Sequence, residues 1–346
     1  MRIRTLGTNG PPVSEIGLGA MGMSDLYGPA DDDESIATIR AALEAGVTLI
    51  DTGDFYGNGH NEMLIGRALQ GRAREQAVIS VKFGALRAPD GSWLGHDGRP
   101  GAVKSSLTYT LRRLGIDHVD IYRPARVDTA VPIEDTVGAI SEMIQAGYVR
   151  QLGLSEAGAD TIRRAHAVHP VADVQLEYSL LSRGIEEHIL PVTRELGIAV
   201  TAYGVLARGL ISGHWRADRT LTTDDYRATN PRFATENISR NLRLVESLTQ
   251  IGAQMKATPA QVAIAWVLSR GQDVVPLVGA RRPDRLAEAL GGANLTLSAE
   301  DLASIEEAVP AGAAAGERDA PAYLPMMDSE RAPTALATVT AERSSS

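Results

Sequence analysis

The chain has 346 residues, 44% of them hydrophobic and 22% charged, enough apolar material for a sizeable core in one α/β barrel or in two ordinary domains. Its formal net charge of −9 argues against nucleic acid as the main partner. The lack of an apolar run long enough to span a bilayer excludes a transmembrane helix and a membrane partner. Zero cysteines exclude disulfides, thiol catalysis and cysteine-ligated metals, in keeping with a cytoplasmic location.

From the N-terminus, two short polar strands in IRTLGTNGPPVSEIG surround an Asn-Gly turn and predict a hairpin capping the floor of the fold. SEIGLG (14–19) predicts the first of eight main strands. It runs into EIGLGAMGMSD, where Gly17, Gly19 and Gly22 spell the G-x-G-x-x-G of dinucleotide-binding folds. In those folds the helix begins inside the motif and its N-terminus holds a pyrophosphate. Here no helical pattern begins before about Asp33, and Asp51, which closes the next strand, lies 29 residues beyond Gly22, against about 20 in those folds. The glycines are therefore expected to turn the strand tightly, with any phosphates held elsewhere.

Seven further apolar runs follow: VTLID (47–51), AVISVK (77–82), HVDIY (118–122), VRQLGLS (149–155), VADVQLEY (171–178), IAVTAY (198–203) and VVPLVG (274–279). Between them DESIATIRAALEAG, GHNEMLIGRALQG, AVKSSLTYTLRRLG, PIEDTVGAISEMIQAG, GADTIRRAHAV, GIEEHILPVTRELG and TPAQVAIAWVLSRG carry apolar residues at helical spacing, and several stop at glycine. Eightfold strand–helix alternation without a linker predicts one α/β domain over 1–310. Its expected form is a closed (β/α)8 TIM barrel with an N-terminal β-hairpin cap and accessory helices. Segment 210–257 is too long for a simple connection and is expected to hold an inserted loop and a helix over 236–256. Residues 311–346, rich in Ala, Gly, Pro and Ser, are expected as a loosely ordered tail, folded over the barrel mouth around PAYLPMM.

Barrel enzymes carry their chemistry at the carboxyl ends of the strands. Asp51, Lys82, Ser155, Gln175, Tyr203 and Gly279 stand at those ends. Lys82 is one of three lysines, with Lys104 and Lys256, among 34 basic residues. Asp51 and Lys82, on neighbouring strands, are expected to form a buried ion pair, which serves to hold strand ends as readily as to do chemistry. Tyr56, in TGDFYGNGH, supplies the third partner that a functional reading needs. A free tyrosine has a pKa near 10, an adjacent ammonium lowers it, and a carboxylate behind the lysine keeps the lysine charged. Such a tyrosine can protonate a developing alkoxide, which suits carbonyl reduction by hydride from a nicotinamide.

DTGDFYGNGHNEMLIGRAL, VISVKFG, VPIEDTVGAISEMIQAGYVRQLGLSE, VQLEYSLLSR and VVPLVGARRPDRLAEALGG together resemble the aldo-keto reductase superfamily, over roughly residues 1–310 and most closely its bacterial and plant branch with short substrate loops. The resemblance implies a (β/α)8 barrel that reduces carbonyls with NADPH/NADP+ and a catalytic Asp–Tyr–Lys–His set. Asp51, Tyr56 and Lys82 match the first three. DIYRPARVD places Ala125 where the family has histidine; His118, the nearest histidine in sequence, stands at the opposite end of its strand. Arg126, Arg123 or a substrate hydroxyl is the candidate replacement donor, and the space at Ala125 suits a bulky ketone.

The resemblance also implies the cofactor contacts. Gly19, Ala20 and Met21 would approach the nicotinamide ribose beside Asp51. Ser155 and Gln175 would hold the carboxamide, and Tyr203 would stack on the ring. Leu206, Arg208 and Gly209 would line the pyrophosphate, largely through their backbone. Gly279, Arg281, Arg285 and Glu288 would meet the adenosine end, with the arginines on its 2′-phosphate; taken alone, RRPDR is a solvated charge run. Met21, Met23, Tyr56, Trp93 and Ala125 would wall the substrate pocket, while Trp215 and Trp266 read as packing. The histidines show no metal-ligand spacing, so no metal is expected. The implied partner is a small-molecule carbonyl compound, with the chain a monomer or homo-oligomer. Two other functions fit the same residues: a cofactor-binding regulatory or sensor protein with vestigial catalysis, supported by Ala125, and an enzyme that mainly oxidises alcohols or sugars.

Overall fold

The computed structural model describes residues 1–331 apart from positions 25, 73, 217 and 223. Strands β1 (Ile3–Thr5) and β2 (Pro12–Ser14) pair antiparallel. Their connection is the 6–11 loop and not a two-residue Asn-Gly turn: the Leu6 N–H reaches the Pro11 carbonyl at 3.1 Å. Gly7 supplies the left-handed residue at φ +66°, a conformation open to glycine at little cost. Leu6 and Val13 pack with Leu49, Ile121, Ala199, Val275 and Leu277 into a separate apolar cluster. The hairpin thus plugs the barrel floor as expected.

Strands β3 (Gly17–Gly19), β4 (Leu49–Gly53) and β5 (Val78–Phe83) start the barrel. Between them lie α1 (Asp32–Glu44) and α2 (His60–Leu69). Helix α1 is capped by Asp31, whose Oδ1 accepts from the Glu34 N–H at 2.8 Å. The three opening glycines therefore lead into no helix; Met21–Met23 forms one 3-10 turn. Gly17 is required by close approach, since a Cβ there would lie 2.6 Å from the Leu277 side chain.

A hairpin absent from the sequence reading follows, β6 (Ala85–Arg87) with β7 (Trp93–His96). Its turn is Pro89-Asp90-Gly91, with Gly91 at φ +84° and the Ser92 N–H and hydroxyl both donating to Asp90 Oδ1. The chain continues through α3 (Pro100–Leu114), β8 (Val119–Pro124), α4 (Ile133–Gln145), β9 (Val149–Ser155), α5 (Ala159–Val168), β10 (Val171–Glu177), α6 (Ile185–Glu195) and β11 (Ala199–Tyr203). It ends with α7 (Thr235–Gln254), α8 (Pro259–Ser269), β12 (Val274–Gly279), α9 (Pro283–Leu290) and α10 (Ala299–Ala308). Eight parallel strands close the barrel in the order β3-β4-β5-β8-β9-β10-β11-β12, with β12 pairing back to β3. Helix α7 falls within two residues of the expected 236–256.

The segment beyond α10 differs from a loose tail. Ala315 N–H donates to Asn241 Oδ1 at 2.7 Å, Arg318 bridges two carboxylates at the mouth, and Asp328 Oδ2 accepts from the Gly158 N–H at 2.8 Å. Residues 311–331 form a strap because charged side chains pin it, in spite of their small-residue composition. The rest of the expected tail, 332–346, lies outside the described residues. Among the described residues no helix is long and apolar enough to cross a membrane.

Candidate active site

Above the apolar floor the barrel interior turns polar. Arg123, fully buried on β8, lies 3.0 Å from Asp173 Oδ2 on β10. It also donates to Thr201 Oγ1 at 3.2 Å and to Ser80 Oγ at 2.8 Å. Ser80 in turn donates to Asp51 Oδ2 at 2.8 Å. Arg123 is thereby committed to the barrel interior and leaves the candidates for a donor at the mouth.

Asp51 is the hub of the next layer. Its Oδ2 also accepts from Gln175 Nε2 at 2.8 Å, and Oδ1 accepts from Lys82 Nζ. The strand register explains this: Asp51 pairs with Ser80 and Gly53 with Lys82, so Asp51 and Lys82 stand on the same side of adjacent strands. Strands β4 and β5 each run past the ends predicted for them, which sets Asp51 inside its strand. Burial pushes the Lys82 ammonium down and the Asp51 carboxylate opposes that.

Tyr56 follows β4 on a short turn and is 6% exposed. Lys82 Nζ sits over its ring, 5.2 Å from the centroid, and the lysine hydrogen-bonds Asp51. Burial first, then the Asp51 charge, hold the Tyr56 phenol well above 10. The expected lowering by Lys82 is therefore corrected: desolvation of the phenolate outweighs an ammonium already neutralised by a carboxylate. Phe55 packs edge-on to Tyr56 at 4.6 Å and to Trp93 at 5.8 Å, and Arg87 covers the Trp93 face at 4.3 Å.

The other strand-end residues gather around this pair. Gly279, Gly19 and Asp51 are successive register partners, and so are Ser155 and Gln175. Ala20 N–H donates to the Asp51 carbonyl at 2.9 Å. Asn61 Nδ2 holds the Ala20 carbonyl at 2.9 Å and Ser24 Oγ at 2.7 Å, which anchors the 20–24 loop on α2. Met21 is half-buried at the mouth, whereas Met23 packs into the main core. Ala125, directly after β8, is 1% exposed and donates its N–H to the Phe83 carbonyl at 2.8 Å. Tyr203 ends β11, half-buried, with its phenol held well above 10 by burial and then by Glu156.

The 204–213 loop carries Ala207, Arg208 and Gly209 in succession at φ +47°, +57° and +91°. A non-glycine residue in this region costs about 1–2 kcal/mol, and such strain gathers at functional sites. The Arg208 side chain does not reach outward. It lies 3.2 Å from both Glu177 carboxylate oxygens and 3.3 Å from Asp319 Oδ2, so only the loop backbone is left to face a ligand. At the adenosine end, Arg281 donates to the Tyr27 and Pro29 carbonyls at 3.2 and 3.0 Å. Arg285 meets Glu288 at 3.1 Å and also His214, so the two arginines are engaged by different partners. The Trp215 ring packs on Phe233 at 4.6 Å and Trp266 is fully buried, both as expected for packing residues.

Sequence reasoning missed the strap side of the mouth. Glu156, at φ +50° just after β9, accepts from Arg318 Nη2 at 2.6 Å and from the Ser329 hydroxyl. Glu177 at the end of β10 faces Arg208, Arg318 and Arg232 at 3.2, 3.2 and 3.7 Å. Both acids directly follow or close strands already singled out, and acids ending buried strands were the available signal.

A barrel mouth with a buried Asp–Lys pair against a tyrosine brings together the groups that proton transfer requires. The Aldo/keto reductase family matches residues 15–310. The chain is 43% identical over 316 residues to the probable aldo-keto reductase 1 of Glycine max, covering 90% of each. Its structure resembles a glycerol dehydrogenase from Gluconobacter oxydans with a TM-score of 0.81 at 28% identity, over 97% of this chain and 99% of that one. A holo aldo-keto reductase from Bacillus halodurans matches with a TM-score of 0.74 at 28% identity, over 92% and 98%. The chain belongs to the aldo/keto reductase family, oxidoreductases that act on small carbonyl compounds with a nicotinamide cofactor.

Proposed function

We propose that the chain reduces an aldehyde or ketone with NADPH, Tyr56 giving the proton and Lys82 and Asp51 positioning it. The observation that carries this reading is the buried Asp51–Lys82 pair set over the Tyr56 ring among polar strand ends. The residues fit a nicotinamide: Ser155 and Gln175 stand side by side for its carboxamide, and Tyr203 offers a half-buried ring to stack on. When bound, that group supplies hydride to the substrate carbonyl carbon. Gly19, Ala20 and Met21 would border its ribose, the backbone of Leu206, Arg208 and Gly209 its pyrophosphate, and Gly279, Arg281, Arg285 and Glu288 its adenosine. Arg285, partly exposed on α9, is the side chain that would favour the 2′-phosphate of NADPH over NADH.

Tyr56 donates its phenol proton to the substrate oxygen as that oxygen gains charge. An alkoxide is more basic than a phenolate, so a phenol held above 10 still transfers the proton. The buried surroundings exclude water and strengthen each electrostatic contact. Purified protein is tested with NADPH and NADH against aldehydes, diketones and bulky cyclic ketones; turnover with NADPH preferred is expected. Cofactor binding without turnover of any carbonyl would overturn the reading in favour of a sensor.

The likeness to a glycerol dehydrogenase supports a second reading, oxidation of alcohols. That direction needs Tyr56 as a base, and burial keeps the phenol protonated at neutral pH. Alcohol oxidation is therefore expected to climb steadily as pH rises above neutrality while reduction does not. Oxidation that outpaces reduction at pH 7 would favour the second reading. A cytoplasmic location completes the proposal.

A further inference from the structure

Arg126 is the odd cation of the barrel mouth. Lys82 faces Asp51, Arg123 faces Asp173, Arg208 faces Glu177 and Asp319, Arg232 faces Glu177, and Arg318 faces Glu156 and Glu177. Arg126 forms no ion pair among the described residues. Its half-buried side chain bonds back on itself, Nη1 donating to the Ala125 carbonyl at 2.6 Å.

Arg126 follows Ala125 directly after β8, at the carboxyl ends of the barrel strands, and its bond to the Ala125 carbonyl holds the guanidinium there. Burial is the largest single influence on the ionisation of Tyr56, Lys82, Tyr203, Glu156 and His96, overcome only at Glu156, and the Arg126 charge acts on all five. These groups lie on the turn after β4, on β5, at the end of β11, just after β9 and on β7. Glu156 is the carboxylate among the five, and its Oε2 is already shared by Arg318 and the Ser329 hydroxyl. His96, whose pKa burial first and Arg126 next push down to about 4, is neutral at pH 7 and adds no competing charge.

A partly buried guanidinium without a carboxylate has donors left over for an anionic ligand. Its planar fork suits a carboxylate bidentately. We propose that Arg126 is a carboxylate-binding subsite within the substrate pocket and that the chain prefers oxo-carboxylates, the carbonyl oxygen on Tyr56 and the carboxylate on Arg126. The proposal rests on the carbonyl-reduction reading for the role of Tyr56, and on Arg126 alone for the anion.

Two measurements separate these. In the first, wild type, Arg126→Ala and Arg126→Lys are compared on benzoylformate and its methyl ester with NADPH. Wild type is expected to favour the acid, and Arg126→Ala to lower kcat/KM for the acid about 100-fold, mainly through KM, and at least about tenfold more than for the ester. Arg126→Lys is expected to restore part of the loss. An equal loss on acid and ester, or a wild-type preference for the ester, would overturn the proposal. In the second, benzoate and benzamide are titrated calorimetrically into the protein with NADP+ present. Benzoate is expected to bind wild type about tenfold or more tighter than Arg126→Ala, with benzamide unaffected. Equal benzoate binding overturns the subsite even if no carbonyl is reduced. Absence of all turnover with benzoate discrimination intact would remove the reduction reading and leave the anion site standing.

Discussion

The two sides of the barrel mouth use the same electrostatics on different supports. On one side Asp51, Lys82, Ser80 and Gln175 bond one another from strands β4, β5 and β10. On the other, Glu156 and Glu177 are buried as deeply, but their cations come from the 204–232 loops and from the strap. Side chains of Lys82 and Asp51 are 4% and 6% exposed, those of Arg318 and Glu156 12% and 0%. Breaking the first set means breaking the barrel; freeing Glu156 from Arg318 in the second needs only residues 311–331 to lift. Strand-borne groups keep chemistry in register, while loop-borne pairs open at lower cost. The fold thus separates a strand-borne group around Asp51 and Lys82 from a loop-borne cover over the mouth.

The largest expected effect tests the fixed side. Tyr56→Phe removes the proton donor and should lower kcat by about 10²–10⁴, leaving NADPH affinity and melting temperature close to wild type. Lys82→Met should impair kcat comparably and, unlike Tyr56→Phe, also destabilise the whole domain by about 3–5 kcal/mol, because Asp51 is left buried without its cation. Steady-state kinetics with thermal melts check both. Turnover surviving in Tyr56→Phe would remove the strand side from the chemistry.

The strap side should respond differently. Arg318→Ala leaves Glu156 without its main partner, a loss of about 3 kcal/mol for a broken, largely buried pair. We expect that loss in the strap alone. Hydrogen exchange should speed up across 313–331 and stay unchanged in β4 and β5. Burial by itself would raise Glu156, and Arg318 with Arg126 overcomes it, so the carboxyl is held at about 2 against an ordinary 4.5. With the folded value depressed, the stabilisation is complete above about pH 4.5 and is lost as pH falls towards 2. In Arg318→Ala that acid dependence should shrink, because Glu156 has lost the partner that favours its charged form while burial still favours the neutral acid. Uniform acceleration over the barrel would show that the two sides are one cooperative unit.

This contrast also marks what was legible in the sequence. Asp51, Lys82, Gln175 and Tyr203 could be read because each interrupts or closes an apolar run whose period defines a strand. The barrel followed from eight such runs. The strap network was not readable: Arg318 pairs with Glu156 across 162 residues and with Glu177 across 141, from a segment whose small-residue composition suggested little order. No local pattern encodes such distant pairing. The β6–β7 hairpin was hidden because strands of three and four residues are too short to show a period, although Pro89-Asp90-Gly91 is a turn signal. The sign of the Tyr56 shift was missed because burial depth is a property of the assembled mouth.

The smallest expected effect asks whether the strand side is as rigid as the comparison requires. Asp54 lies between Gly53, which ends β4, and Phe55, against which Tyr56 packs. It faces a cleft lined also by Asn58, Tyr109 and Arg113, and its Oδ1 is buried without a partner. Burial first, then Glu62, raise its carboxyl from 3.8 to about 7, against the Gly84 N–H and Arg113. A raised acid is uncharged in the fold when it would be charged in the unfolded chain, so stability falls as pH rises from about 4 through about 7. Asp54→Asn should flatten that slope and raise stability at pH 8 by about 2 kcal/mol, read as the pH dependence of the urea midpoint. If the strand side is rigid, kcat for carbonyl reduction should show no inflection near pH 7 in wild type or variant, because charging Asp54 does not displace Tyr56. A wild-type inflection near 7 that Asp54→Asn abolishes would show the turn moving with Asp54, and the fixed centre would then begin at Asp51 and Lys82 without the tyrosine.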